Sequence, residues 1–149
     1  MKAKYWVVVG NGSKILVYAW DAITEPLREQ MCLANPDNRL RDHDIDGASV
    51  GQSIAGRAGL APRHYPKEHQ REKFAQQVAD ALDQGRVKGS YNSLILAVSS
   101  PFLGLLSSRL SALTRPRINQ SYTVDVTMLP TTELENWLRQ RQQAGLPEG

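Results

Sequence analysis

The sequence predicts an α/β domain, a mixed five-stranded sheet that begins with three antiparallel strands and is covered by helices. Three observations carry that expectation. Leu94-Ile95-Leu96-Ala97-Val98 is a short, wholly apolar run, the pattern of a strand covered on both faces. Two runs rich in β-branched and aromatic residues near the start are joined through Gly10-Asn11-Gly12, a hairpin signal. From Lys67 to Leu138, helical and strand patterns then alternate without a break.

The first strand is read at residues 4–9 and the second at 13–20. Asn-Gly between them suits a tight turn, because both residues tolerate positive φ. Residues 27–34 form a weaker third strand, bounded by Pro26 and by Asn35-Pro36-Asp37-Asn38. Phe74, Val78, Ala81 and Leu82 mark the apolar stripe of a helix that starts near Lys67 and stops near Gly85 or Gly89. After the strand at 94–98, Ser100-Pro101 offers an N-cap hydroxyl and a proline at the first helical position. Leu103, Leu106, Leu110 and Leu113 are the expected buried face of that helix. Residues 118–128 are β-rich through Tyr122-Thr123-Val124. Thr132, with Glu135 three residues on, makes a capping box for a last helix buried through Leu134, Trp137 and Leu138.

Three antiparallel strands, then helix, strand, helix, strand, helix, is the element order of the ribonuclease H-like fold, a three-layer sandwich. In that arrangement the strand at 94–98 lies in the middle of the sheet beside the strand at 4–9, reached by a right-handed crossover. Another α/β three-layer sandwich is the alternative. A length of 149 residues suits one domain, read at 1–144, with a tail at 145–149 that should fray. Residues 35–66 hold four glycines (Gly47, Gly51, Gly56 and Gly59) and no clear periodicity, which predicts a long loop. It offers little apolar surface against its ordering entropy and is expected to be mobile.

Composition narrows the function classes. A single cysteine, Cys32, forbids an internal disulfide and favours a reducing, intracellular compartment. No apolar run approaches membrane-spanning length, and the apolar stretch after Lys2 and Lys4 is too short for a signal peptide. A cytoplasmic location is therefore expected, with no membrane partner. The formal net charge is +3 and the pI about 9.2, which permits an anionic partner without demanding one. Arg57, Arg63, Lys67, Arg71 and Lys73 face only Glu68 and Glu72 in sequence, and Arg109, Arg115 and Arg117 have no acidic neighbour in their segment. The bland reading of all of them is a solvated surface.

Motifs for chemistry are sparse. Asp42-His43-Asp44-Ile45-Asp46-Gly47 resembles the first half of a calcium loop, but Ser49 and Ser53 stand where an apolar residue and a bidentate glutamate belong. Turn chemistry explains those aspartates. His43, His64 and His69 have no set of converging ligands to complete a zinc site, so no metal and no cofactor is expected. No nucleophile elbow, P-loop or dinucleotide fingerprint is present. Metal-dependent nucleases need clustered carboxylates, and Asp125 is the lone acid read in the strand interiors.

Several segments together resemble a known family, the bacterial host attachment proteins. They are Tyr5-Trp6-Val7-Val8-Val9-Gly10-Asn11-Gly12-Ser13-Lys14, Arg63-His64, Pro66-Lys67-Glu68-His69, Glu72-Lys73-Phe74-Ala75 and Val78-Ala79-Asp80-Ala81-Leu82. Pro101-Phe102-Leu103-Gly104, Leu110, Asp125, Thr127 and Leu129-Pro130 extend the likeness over nearly the whole chain. That family is in turn similar to the middle domain of archaeal and eukaryotic class-1 release factors and of Pelota. The resemblance implies a ribonuclease H-like fold with a Gly-Gly-Gln loop just before a long helix. Val50-Gly51-Gln52-Ser53 stands in that place, with β-branched Val50 where the first glycine would be. A glutamine in such a loop orients water at an ester carbonyl, which makes Gln52 the one candidate catalytic residue. An ordinary loop is the favoured reading.

Three function classes follow. The first is a cytoplasmic adaptor with a release-factor-like domain that binds RNA or the ribosome, Arg57, Arg63, Lys67, Arg71 and Lys73 contacting phosphates. Gly51, Gln52 and His64 would be its loop residues. The second is a protein–protein interaction module that affects attachment indirectly. The third is a Gln52-dependent ester hydrolase of the peptidyl-tRNA type. Nothing in the sequence sets an oligomeric state.

Overall fold

Near-continuous burial along the three central strands explains the sheet. In a computed structural model, which describes residues 3–35 and 67–145, the elements are β1 (Ala3–Gly10), β2 (Lys14–Trp20), β3 (Arg28–Ala34), α1 (Lys67–Val87), β4 (Tyr91–Val98) and α2 (Phe102–Arg109). A short 3-10 turn (Arg115–Arg117), β5 (Ile118–Tyr122) and α3 (Thr131–Gly145) complete them. The strands form one five-stranded mixed sheet in the order β3-β2-β1-β4-β5. β1 pairs antiparallel with β2 and parallel with β4, Val7 standing opposite Tyr18 and Ile95. The apolar run at 94–98 is thus an interior strand beside β1, as its composition predicts. The architecture is the predicted α/β sandwich, and its strand order is consistent with the ribonuclease H-like arrangement.

Successive side chains point to opposite faces of a strand. Trp6 and Val8 of β1 and Leu94, Leu96 and Val98 of β4 pack with Phe74, Val78 and Leu82 of α1 and with Phe102 and Leu106 of α2. Val7, Val9, Ile95 and Ala97 face the other way, onto Leu134 and Leu138 of α3 and onto Trp20 and Leu27. Both faces are covered, which is why these strands read as unbroken apolar runs rather than alternating ones. The buried indole of Trp20 donates Nε1–H to the Glu25 carbonyl at 2.8 Å, closing the turn before β3.

Local expectations fare less evenly. Of the two expected stops for α1, Gly85 lies inside the helix and Gly89 is the one used, the helix ending at Val87. Gly89 takes φ +73°, the Gly89 amide donates to the Arg86 carbonyl and the Ser90 amide to the Gly85 carbonyl. That pair of bonds is a Schellman ending, and glycine fits its left-handed position without a Cβ penalty. Ser100 does not cap α2. The Ser100–Pro101 peptide is cis, the N-cap is Pro101, and no side chain bonds the first turn. Leu113 is 67% exposed, because α2 ends at Arg109 and the chain turns away. The last strand is shorter than read, ending at Tyr122, and residues 123–126 run irregularly.

The capping box also fails. α3 begins at Thr131, which puts Thr132 inside it, and Glu135 turns to the neighbouring layer instead. Its Oε2 accepts the Leu27 amide at 2.8 Å, and Oε1 lies 3.8 Å from Arg139. A carboxylate accepting the amide just before β3 ties α3 to the start of that strand. The loop read at 35–66 lies, apart from Asn35, outside the described residues, as do the calcium-like residues 42–47.

Candidate functional site at the carboxyl end of the parallel strands

Ligands of open α/β sheets bind beyond the carboxyl ends of the strands. Here that end gathers residues far apart in sequence. β1 leaves the sheet at Gly10, and the Ser99 amide after β4 donates to the Gly10 carbonyl at 3.1 Å. The Asn11 carboxamide oxygen accepts the Ser13 and Lys14 amides at 2.8 and 3.1 Å, and the Asn11 amide bonds the Lys14 carbonyl. The hairpin is closed by this side chain rather than by a positive φ at Gly12, whose backbone stays outside the left-handed region. Asparagine bonding its own following backbone is the chemistry of an Asx turn.

The same carboxamide reaches across the site. Asn11 Nδ2 donates to Asp125 Oδ2 at 2.9 Å, joining the β1–β2 turn to the segment between β5 and α3. Asp125 Oδ1 accepts the Thr127 amide at 3.0 Å and the Thr127 hydroxyl at 2.5 Å. Partial burial pushes the Asp125 carboxyl up, but the bonds from Thr127 and Asn11 outweigh it and hold its pKa below the usual carboxylate value. A carboxylate so satisfied is a poor proton acceptor at neutral pH. It acts as a staple. Buried Asn35 completes the frame, its side chain donating to the Gly12 carbonyl at 3.1 Å.

Because the folded pKa is lowered, the stabilisation is present above the unfolded value and lost as pH falls through the folded one. The stability difference between wild type and Asp125→Asn should be constant at neutral pH and shrink below about pH 4. Urea denaturation at several pH values measures it; a difference that stays constant down to pH 2 would show that the carboxylate charge is not used.

The structure locates only part of the predicted site. Gly51, Gln52, Arg57, Arg63 and His64 lie outside the described residues. Lys67 opens α1, and its side chain is likewise outside them. Arg71 lies across Gly12; a Cβ built there would sit 3.4 Å from Arg71 Nε. Lys73 is exposed, but two residues along a helix turn it some 200° from Arg71, so α1 does not bring the two together. Glu72, read as a neighbour of this basic run, lies 3.7 Å from Arg109 of α2.

Asp125 is not the strand acid that the sequence suggests, since it follows β5; among the described strands the acid is exposed Glu29 of β3. No three His, Cys, Asp or Glu side chains among the described residues are grouped to hold a metal ion. No helix among them is long and apolar enough to cross a membrane. Nothing in the sequence marks Asn11, Asp125 and Thr127 as a unit. Their only sequence signals are two short turn motifs, Asn-Gly-Ser and Asp-Val-Thr, the bonded pair standing 114 positions apart.

Compared with known families, residues 6–138 match the model described as protein required for attachment to host cells. The matched span runs from β1 into α3 and includes Asn11, Asp125 and Thr127. No curated protein matches the chain.

Proposed function

The chain belongs to the family of proteins required for attachment to host cells, and from that premise we propose that it is a cytoplasmic, non-catalytic adaptor with a release-factor-like domain that binds RNA or the ribosome. One observation carries the reading. Arg71 lies over Gly12 at the carboxyl end of the sheet, which sets the basic first turns of α1 beside the strand ends where such folds take ligands. Exposed Lys73 carries its charge on a different face of the helix from Arg71, and the sequence adds Arg57, Arg63 and Lys67. Such cations contact phosphates and position a nucleic acid without reading its sequence. The acid of the site, Asp125, accepts bonds from Asn11 and Thr127, which suits a bracing role better than proton transfer.

Co-sedimentation with ribosomes at varied salt tests this. Replacing Arg57, Arg63 and Lys67 with alanine should weaken association and lower the slope of log affinity against log salt by about 0.7–0.9 for each lost phosphate contact. Gln52→Ala should leave binding unchanged, since a neutral side chain releases no counterions; it would abolish ester hydrolysis only in a Gln52-dependent hydrolase. Absence of association even at low salt sinks the adaptor. The second reading, a protein-interaction module, would then replace it, and Met128, 89% exposed beside the Asp125 turn, favours that reading.

A further inference from the structure

Four basic side chains gather at the other end of α1. Arg86 and Lys88 stand at its C-terminal end, and Arg115 and Arg117 in the 3-10 turn. Arg86 Nε donates to the buried Thr114 hydroxyl at 2.8 Å, which brings the helix end against the turn. Arg115 donates to the Ser107 and Ser108 carbonyls at 3.2 and 3.4 Å, and Arg117 to the Asn92 carbonyl at 3.1 Å. Burial and the Asp83 carboxylate push the Tyr91 hydroxyl up to about 12, against the opposing pull of Arg117 and Arg86.

The salt bridges among the described residues use Arg28, Arg109 and Arg139, and none of these four side chains. Asp83 acts on the same tyrosine, and one of its carboxylate oxygens is buried without a hydrogen-bond partner among the described residues. Arg115 and Arg117 have structural duties, capping the end of α2 and the start of β4. Those duties use one or two of the N–H donors on each guanidinium and none of the charge. The result is a cluster of positive charge held by main-chain carbonyls and a buried hydroxyl, with its remaining donors uncommitted.

We infer that Arg86, Lys88, Arg115 and Arg117 form a second phosphate-contacting surface for nucleic acid, at the opposite end of α1 from the carboxyl-end site. The inference rests on the proposed RNA binding and deepens it. Arginine forks match phosphate oxygens, and three of the four cations are arginines. Arg71 and Arg86, 15 residues apart on α1, set the two basic ends about 22 Å apart, a span that a folded RNA covers and a single small anion does not. Val87 and Leu113, 72% and 67% exposed, flank these residues in sequence and would serve an anionic lipid surface instead. A phosphate backbone gives them no role.

The test is fluorescence anisotropy of a labelled RNA hairpin across a salt series. The double variant Lys88→Gln/Arg117→Gln should weaken binding and lower the salt slope by about 0.7–0.9 per removed charge. Val87→Ser/Leu113→Ser should leave both unchanged. If Arg117→Gln does not fold, Lys88→Glu alone, at an exposed position, keeps the test intact. An unchanged slope in the Lys88 and Arg117 variants, with a reduced slope in Arg71→Gln/Lys73→Gln, overturns this surface and leaves the proposed function standing. No hairpin or ribosome binding by the wild type at any salt overturns both. Loss of binding to phosphatidylserine vesicles in the Val87 and Leu113 variant, with no effect of any variant on RNA, assigns the surface to membrane and overturns the inference.

Discussion

Gly85→Ala should destabilise the protein by about 1–3 kcal/mol, the usual cost of forcing extra volume into a packed core. On an exposed helix the same change gains nearly 1 kcal/mol of propensity, so the sign itself is diagnostic. Gly85 is buried in the last full turn of α1, and a Cβ there would lie 2.6 Å from Cη2 and Cζ3 of Trp6 and 3.0 Å from the Tyr91 ring. Neither ring can withdraw easily. Trp6 and Tyr91 pack with centroids 4.9 Å apart, and the Tyr91 hydroxyl donates to the Leu82 carbonyl at 2.7 Å. Trp6→Phe removes the benzo edge that meets the new methyl. In that background Gly85→Ala should cost much less, and a double-mutant cycle followed by urea denaturation should show a favourable coupling. Simple additivity of the two changes would mean that the contact is not what excludes a side chain at position 85.

A second large effect separates two leucines that the helical period treats alike. Leu106→Ala should cost about 2–5 kcal/mol, through lost transfer energy and the cavity left behind. Leu113→Ala should fall within about 0.5 kcal/mol of wild type, as a surface change does. Leu106 is fully buried between α1 and the sheet, whereas Leu113 is largely exposed. The difference arises after Arg109. Leu110 is extended, and its amide donates to the Ser107 carbonyl. Ser111 then accepts the Leu113 and Thr114 amides on its hydroxyl at 3.3 and 3.2 Å, turning the chain out of the helix. Comparable denaturation midpoints for the two variants would contradict this ending of α2.

Sequence alone determined the layers. Phe74, Val78 and Leu82 at helical spacing, and the unbroken apolar run at 94–98, each contain their own period, and a period states which faces must be buried. The family likeness, carried by contiguous segments, was legible for the same reason. What sequence could not determine is where a polar side chain finds its partner. Thr132 and Glu135 have capping-box spacing, yet Glu135 spends its carboxylate on Leu27, 108 residues away. Asn11 and Asp125 read as separate turn residues until the sheet brings β1 and the segment after β5 to one end. Gly85 and Gly89 read alike as possible helix stops, and only the packing of Trp6 shows that Gly85 is there to make room. Apolar burial is a property of one element's face, set by local spacing. Hydrogen bonds, close approaches and helix ends depend on which atoms the tertiary fold places within a few ångströms, and only the three-dimensional structure specifies that.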